Sequence, residues 1–141
     1  MLGGQRHQAL HLAVVHAALA QGRHLLLTPG VYRVEQPIRV TRANTVVLGM
    51  GLATLTPTTG TAAIVVDDVP GVVLASLMVD ANTPRSDVLV QVGSDGAQAG
   101  DPSNPTSLID VYVRIGGSFA GSVGSAVVVN QSHVVIDHTW I

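Results

Sequence analysis

The stretch IVVDDVPGVVL, residues 64–74, occurs in two further versions, IRVTRANTVVL at 38–48 and AVVVNQSHVVI at 126–136. Each version has about three apolar residues, a short polar turn, and then a Val-Val-Leu or Val-Val-Ile run, and the three align without gaps. A fourth copy, TSLIDVYV at 106–113, matches the second half only. Since a strand–turn–strand unit of this size cannot bury its apolar face alone, its repetition predicts stacked coils, that is, a parallel β-helix.

The repeat also sets the spacing of the predicted coils. Placing Leu48, Leu74, Leu108 and Ile136 in one column gives intervals of 26, 34 and 28 residues. We assign the longest interval to an inserted loop, SDGAQAGDPSNP at 94–105, because its residue types are those of turns. Since neighbouring strands lie about 4.8 Å apart, equivalent residues of successive coils should form ladders along the side of the molecule.

The amino-acid composition independently favours strands. The chain has 24 Val, 6 Ile and 11 Thr among its 141 residues, and β-branched side chains fit pleated strands better than helices. Only 11% of the residues are charged and the net charge is -2, which excludes a charged coiled coil and disfavours a nucleic-acid partner. The chain has no Cys, and no apolar run approaches the roughly 18 residues that cross a bilayer, so we expect no disulfide and no membrane partner.

One segment has helical spacing. In residues 8–21, apolar side chains recur at three- and four-residue steps, and Gly22 supplies a C-terminal stop. We expect this N-terminal part, 1–22, to form an α-helix that caps the open end of the coils, which occupy 23–141. The main alternative is a β-sandwich, which tight hairpin turns would favour; no Asn-Gly or Asp-Gly pair flanked by alternating strands is present.

The repeat predicts which side chains point out together. With a kink at Ala75-Ser76, the inward residues are Val72, Leu74, Leu77 and Val79, then Leu108, Val111 and Val113, then Val134, Ile136, Thr139 and Ile141. The outward columns are Met78/Tyr112/Trp140 and Asp80/Arg114, with Ser76/Asp110/His138 at the kink.

This outward face is suited to a polysaccharide. The apolar side of a sugar ring stacks on aromatic rings while its hydroxyls need polar partners, so Tyr112, Trp140 and Arg114 are the predicted substrate-binding residues. Glycosidic cleavage needs two carboxyl groups about 5 to 9.5 Å apart, and Asp80 and Asp110 are the nearest candidates, with His138 able to pair with Asp110. The alternative, which we favour, is that the rings cover the coil surface or a neighbouring segment and that Asp80–Arg114 is a solvated ion pair.

Metal and cofactor sites are weakly indicated. Calcium is conceivable at Asp67-Asp68, but two adjacent acids on a strand face opposite ways, so a turn-capping role is favoured. His7 and His11 have a spacing that can hold zinc, but lack a third ligand, so an exposed helix face is favoured. Gly49-Met50-Gly51 is interpreted as a turn, since no helix follows it. We therefore predict no metal and no cofactor.

Three segments carry a resemblance to a known family: HLLLTPGVYRVEQPIRVTRANTVVLGMGLATLTP (24–57), NPTSLIDVYVRIGG (104–117) and VVIDHTWI (134–141). They resemble parts of large secreted bacterial glycoside hydrolases of the exo-β-1,3-glucanase and α-1,3-glucanase type, which have a pectate-lyase-like β-helix and in some relatives coagulation-factor-5/8-type domains. The resemblance covers nearly the whole chain from about Ala9.

The resemblance implies an all-β, right-handed parallel β-helix and an extracellular, polysaccharide-active protein, although this sequence contains no signal peptide. It implies further that the chain is an N-terminal fragment, inactive alone, whose partners are a polysaccharide and the downstream coils of the same parent chain. No catalytic residue of the family maps onto a matching motif here. Two other functions stay open: a polysaccharide lyase, and a non-catalytic glycan-binding or structural segment such as that of an adhesin or tail-spike.

Overall fold

The structure, a computed structural model, describes residues 7–97, 100–117 and 119–141, without the side chain of His7. The described chain has one helix, α1 (Leu12–Ala20), and strands that make up about half of its residues. The strands are β1 (His7–Ala9), β2 (Leu25–Leu27), β3 (Val31–Val34), β4 (Ile38–Val40), β5 (Val46–Pro57), β6 (Ile64–Val66), β7 (Val73–Asp80), β8 (Ser86–Val92), β9 (Thr106–Arg114), β10 (Val123–Val129) and β11 (Val134–Asp137). At nine residues, α1 is too short to span a lipid bilayer, and the described chain contains no longer helix.

The strands form two sheets in which every described pair is parallel. The first sheet has the order β1-β3-β5-β7-β9-β11, with β2 also paired to β5, and the second has the order β4-β6-β8-β10. The chain passes from the second sheet to the first in each turn, as β4 to β5, β6 to β7, β8 to β9 and β10 to β11. This alternation makes a parallel β-helix, and the β-sandwich alternative, which antiparallel hairpins would build, is wrong.

The core consists of ladders of apolar side chains inside the coils. Seven predicted inward residues are buried: Val72, Leu74, Leu77, Val79, Leu108, Val111 and Val113. Burying each such side chain contributes about 1.5–3 kcal/mol, so the ladders are the main stabilising feature of the fold. In the last described coil, Ile136 pairs with Leu108 in the same column but is 50% exposed, because no further rung of the described chain covers it.

The gapless match of the first two repeats is wrong by one residue in its second half. The first strands pair as predicted, but Val47, rather than Leu48, pairs with Leu74. The turn between β4 and β5 is one residue shorter than the turn between β6 and β7. A gapless sequence alignment cannot show this difference in length. Val47 is therefore fully buried, whereas Leu48 is exposed.

The later repeats show a similar pattern. In the last coil, Val127 rather than Ala126 lies in the column of Ile64 and Val90. The incomplete fourth copy is completed by β8, which supplies the missing first strand before the insertion. The inserted loop falls between β8 and β9 as predicted, and its residues Gln98 and Ala99 lie outside the described residues.

The helix is shorter than the predicted 8–21. Residues 7–9 form β1 instead, because the open edge of β3 offers backbone partners. The helix itself packs beside β4, where it buries Leu19. His16 Nε2 lies 3.0 Å from Pro37 O and 3.3 Å from Arg39 N, and so pairs with one of these backbone groups in place of a strand. The helix thus lies against β4, which is the end strand of the second sheet in the described chain.

Candidate functional site

A repeated backbone kink creates a separate outer face on the first sheet. Leu52, Ser76, Asp110 and His138 occupy equivalent positions with φ of 55°, 53°, 53° and 48°. This left-handed conformation is uncommon for residues with a side chain, and it turns the chain direction within each coil. The predicted kink at Ser76 is confirmed, and it recurs in four coils.

Beyond the kink, outward side chains stand in register. Met78 pairs with Tyr112, and Tyr112 pairs with Trp140. We call Met78, Tyr112 and Trp140 the aromatic column. The backbone of Trp140 is fixed on both sides, because its N–H donates to Val111 O at 3.2 Å and its carbonyl accepts from Val113 N at 2.7 Å.

The two rings of the aromatic column differ in exposure. Trp140 is 73% exposed, while Tyr112 and Met78 are half-buried. Since adjacent rungs lie about 4.8 Å apart, the column presents a continuous apolar strip along the side of the coils. Such a strip can contact a flat apolar ligand surface longer than a single ring.

Asp80 and Arg114 form the neighbouring outward column. Arg114 donates two hydrogen bonds to Asp80, from Nε to Oδ1 at 2.7 Å and from Nη2 to Oδ2 at 2.6 Å. The hydrogen bonds and then the negative charge of Asp80 raise the pKa of Arg114. The Asp80 side chain is 15% exposed and that of Arg114 is 52% exposed. Because both Asp80 oxygens accept from Arg114, Asp80 is poorly placed to exchange a proton with a substrate.

The predicted pairing of His138 with Asp110 is not formed. The His138 imidazole lies beside Asp137 instead, with 3.5 Å between Nδ1 and Oδ2, and its backbone N–H donates to Asp137 Oδ1 at 3.0 Å. The left-handed backbone at His138 brings its own preceding residue closest, an effect that strand periodicity does not reveal. Asp110 is half-buried at the kink of the previous coil.

Asp67 and Asp68 contact protein groups on neighbouring coils. Asp67 pairs with Arg39, and Asp68 accepts hydrogen bonds from the hydroxyl and the backbone N–H of Ser94 at 2.6 and 2.7 Å. The Ser94 hydroxyl and then its N–H lower the pKa of Asp68. The two carboxylates thus have different partners, each on a different neighbouring coil.

Metal-type clusters are missing from the described chain. Within residues 7–97, 100–117 and 119–141, no three His, Asp or Glu side chains converge as they would around an ion. The expectation that His7 and His11 share a helix face is wrong, because His7 lies in β1 and α1 begins at Leu12; the side chain of His7 lies outside the described residues.

A cleft of about 400 Å³ lies at the β1 end of the same face. Thr54 belongs to both features, since it lines the cleft and pairs with Met78 of the aromatic column. The cleft is lined by Gln8, Pro29, Gly30, Val31, Gly51, Leu52 and Thr54.

A family comparison identifies the domain. The family described as the LAM55 pectate lyase-like domain matches residues 8–141. The chain belongs to this family. The resemblance to pectate-lyase-like glucanases that the sequence motifs carry is thereby confirmed.

Individual relatives of this LAM55 domain are known. The chain is 55% identical over 127 residues to an exo-beta-1,3-glucanase from Streptomyces sp. (strain SirexAA-E / ActE), covering 90% of this chain and 21% of that protein. The solved structure of sacteLam55A from Streptomyces sp. SirexAA-E is 51% identical, with a TM-score of 0.91, over 96% of this chain and 25% of that one. A variant of sacteLam55A in complex with glucose has the same identity and TM-score, over 97% and 24% of the two chains.

This LAM55 chain therefore spans about a fifth to a quarter of the length of these relatives. Sequence analysis alone missed the cleft, because its lining comes from three segments that are apart in the chain. The one signal was Gly49-Met50-Gly51, which we interpreted as an ordinary turn. In the structure these residues lie inside β5, where the pairing with β7 jumps from Leu48 to Ala53.

Proposed function

We propose that this chain is part of a secreted glycoside hydrolase that acts on a β-1,3-glucan, and that its outer face binds the glucan chain. The observation that carries the proposal is the aromatic column, in which Tyr112 and Trp140 stand on adjacent rungs next to the Asp80–Arg114 pair. Membership of the LAM55 family and the 55% identity to an exo-beta-1,3-glucanase support the choice of polymer.

The chemistry of this face fits sugars. The C–H side of a pyranose stacks on an indole or phenol ring, and the polar edge of the sugar needs hydrogen-bond partners. Arg114 is held in place by two bonds to Asp80 and is still half exposed, so it can donate a further hydrogen bond to a sugar hydroxyl with little loss of side-chain freedom.

We propose that this part of the enzyme binds substrate and that the paired catalytic acids lie elsewhere in a longer protein. Hydrolysis needs one carboxylic acid to protonate the leaving oxygen and a second carboxylate as base or nucleophile. Asp80 is fully engaged by Arg114, and the imidazole of His138 contacts Asp137 rather than Asp110. The isolated chain is then expected to bind glucan without cleaving it.

The same proposal covers the handedness, the neighbours and the location of the protein. Right-handed crossovers occur in about 98% of parallel strand connections, which supports a right-handed coil. Ile136 is exposed, and β10 and β11 are the end strands of the two sheets among the described residues, which suits further coils of the parent chain. An extracellular location follows from the polymeric substrate.

Affinity electrophoresis tests the proposal. The chain should be retarded in a gel that contains a soluble β-1,3-glucan and not in a gel that contains dextran, an α-1,6-glucan. Trp140→Ala and Tyr112→Ala should each reduce retention, because each removes a stacking ring. The loss should correspond to about 1 kcal/mol in the free energy of glucan binding.

Leu26→Ala is the matched control, because Leu26 is also exposed but lies on β2, away from the aromatic column. Its retention should equal that of the wild type. Thermal unfolding midpoints show whether the variants are folded like the wild type. If they are, equal retention of the wild type and both ring variants would overturn the proposal.

A further inference from the structure

The corner of the coil that contains β5 is enlarged. In the coil of β7, Ser76 alone separates the paired residues Ala75 and Leu77, whereas Gly49, Met50, Gly51 and Leu52 occupy the equivalent place in β5. Extra residues in a strand form a bulge that bends the chain locally, and bulges are common next to binding sites. The enlargement therefore calls for an explanation beyond coil stacking.

Both glycines of the enlarged corner are structurally required. A Cβ at Gly49 would overlap Ser76 O and lie 2.9 Å from Leu77 Cδ2. Gly51 has φ of 57°, and a Cβ there would lie 3.2 Å from Pro29 Cγ. The extra residues are thus held tightly between the neighbouring coils, and two of them, Gly51 and Leu52, line the 400 Å³ cleft.

Leu52 is an unusual residue at its position. The equivalent left-handed residues in the other coils are Ser76, Asp110 and His138, whose polar side chains suit this conformation better than a large apolar one. Leu52 is nonetheless 45% exposed and lines the cleft. A costly conformation that presents an apolar side chain to solvent points to a ligand.

The cleft has the lining that a single sugar ring needs. Pro29, Val31 and Leu52 supply apolar walls, and the amide of Gln8 lies over Gly30 to supply donors and an acceptor. Its volume lies within the range of small-molecule sites, about 300–1,000 Å³.

The cleft also continues the aromatic column. Thr54 is one rung from Met78, two from Tyr112 and three from Trp140, so the cleft and Trp140 are about 14 Å apart at 4.8 Å per rung. We propose that the cleft is a further subsite, which binds one glucosyl unit of the glucan chain that stacks on Tyr112 and Trp140. The inference rests on the proposed function and extends its binding face toward β1.

Isothermal titration calorimetry of the 141-residue chain with β-1,3-linked glucose dimer and hexamer tests the subsite. The hexamer is long enough to reach from Trp140 to the cleft, and the dimer is not. Leu52→Asn removes the apolar wall and keeps a residue that tolerates the left-handed backbone. It should weaken hexamer binding by about tenfold, as loss of an apolar pocket contact does, and leave binding of the dimer to the aromatic column within about twofold.

A second variant acts by filling the cleft. Gly30 has no positive φ, and a Cβ there meets only ordinary contacts at 3.8 Å from Gln8 Nε2 and Tyr32 Cε2. Gly30→Met should therefore fold and should weaken hexamer binding as Leu52→Asn does. Leu26→Asn is the control for removal of an exposed leucine and should change neither affinity.

The outcomes separate the two proposals. Unchanged hexamer affinity in both cleft variants, with loss in Tyr112→Ala, overturns the subsite and leaves the aromatic face intact. Loss in both cleft variants with no effect of Tyr112→Ala supports sugar binding in the cleft and overturns the role of the aromatic column. No binding of either oligomer by the folded wild type overturns both.

Discussion

At the scale of single residues, the turn that leads from the second sheet into the first depends on a glycine, Gly71. Asn44, Gly71 and His133 have positive φ at this corner in three of the coils. Asn104 Nδ2 donates to Asn44 Oδ1 at 2.8 Å, and this bond passes the position where a Cβ of Gly71 would lie. Gly71 is therefore required twice, for its backbone conformation and for the bond between the two asparagines.

Gly71→Ala should lower the free energy of unfolding by about 2 kcal/mol. About 1 kcal/mol comes from a side chain in the left-handed conformation and about 1 kcal/mol from the broken Asn44–Asn104 bond. Urea unfolding followed by circular dichroism measures it.

Gly96→Ala is the matched control for Gly71→Ala. Gly96 has φ of 75°, and a Cβ there meets nothing within 4 Å among the described residues, so we expect only the conformational cost of about 1 kcal/mol. If the two variants lose equal stability, the asparagine bond contributes nothing.

At the scale of elements, α1 takes the place of a strand beside β4. A strand would satisfy the backbone groups at the edge of β4 through a ladder, whereas α1 offers only the side chain of His16 to the backbone of Pro37 and Arg39. Arg42 donates from Nη1 to Ala20 O at 2.9 Å and so ties the C-terminal end of α1 to the coil. A few side-chain bonds and the buried Leu19 therefore hold α1 in place.

His16→Ala should destabilise the protein by about 1 kcal/mol, the usual loss for one hydrogen bond to a backbone group. The midpoint of urea unfolding is the measurement. His11→Ala is the comparison, because His11 precedes the same helix and its side chain makes no capping hydrogen bond. Equal midpoints for the two variants would show that the His16 contact has no role in holding the helix.

At the scale of the whole molecule, the strand pairing of each coil is with its neighbours, and only side-chain bonds such as Asn104–Asn44 are described across an intervening coil. In the middle of the first sheet, β7 is paired with β5 on one side and with β9 on the other. In such stacked folds stability is a sum over neighbouring repeats, so coils with two neighbours are held more strongly than coils with one. The last described coil is also apolar and open to solvent at Ile136 and Ile141.

Hydrogen exchange should follow this order. Backbone amides of β7 should exchange at least about tenfold more slowly than those of β11, because opening β7 disrupts two interfaces and opening β11 disrupts one. Mass spectrometry of peptides that cover 73–80 and 134–137 measures the difference. Uniform protection across the two peptides would mean that the coils open as one unit.

The sequence by itself determined the architecture and one outer face. The Val-rich runs cannot bury their apolar faces as separate hairpins. Their repeat predicted parallel coils, the kink at Ser76 and the register of Met78 with Tyr112 and Trp140. These features depend on the two-residue period of a strand and on the repeat, both of which are local properties that can be read along the chain.

Tertiary structure alone decided the rest. Val47 displaced Leu48 from the core because turn length sets register, and His138 met Asp137 because the left-handed backbone redirected its side chain. The cleft exists only where 29–31, 51–54 and Gln8 come together. Distances between segments that are remote in the chain depend on how coils stack, and no local pattern encodes them.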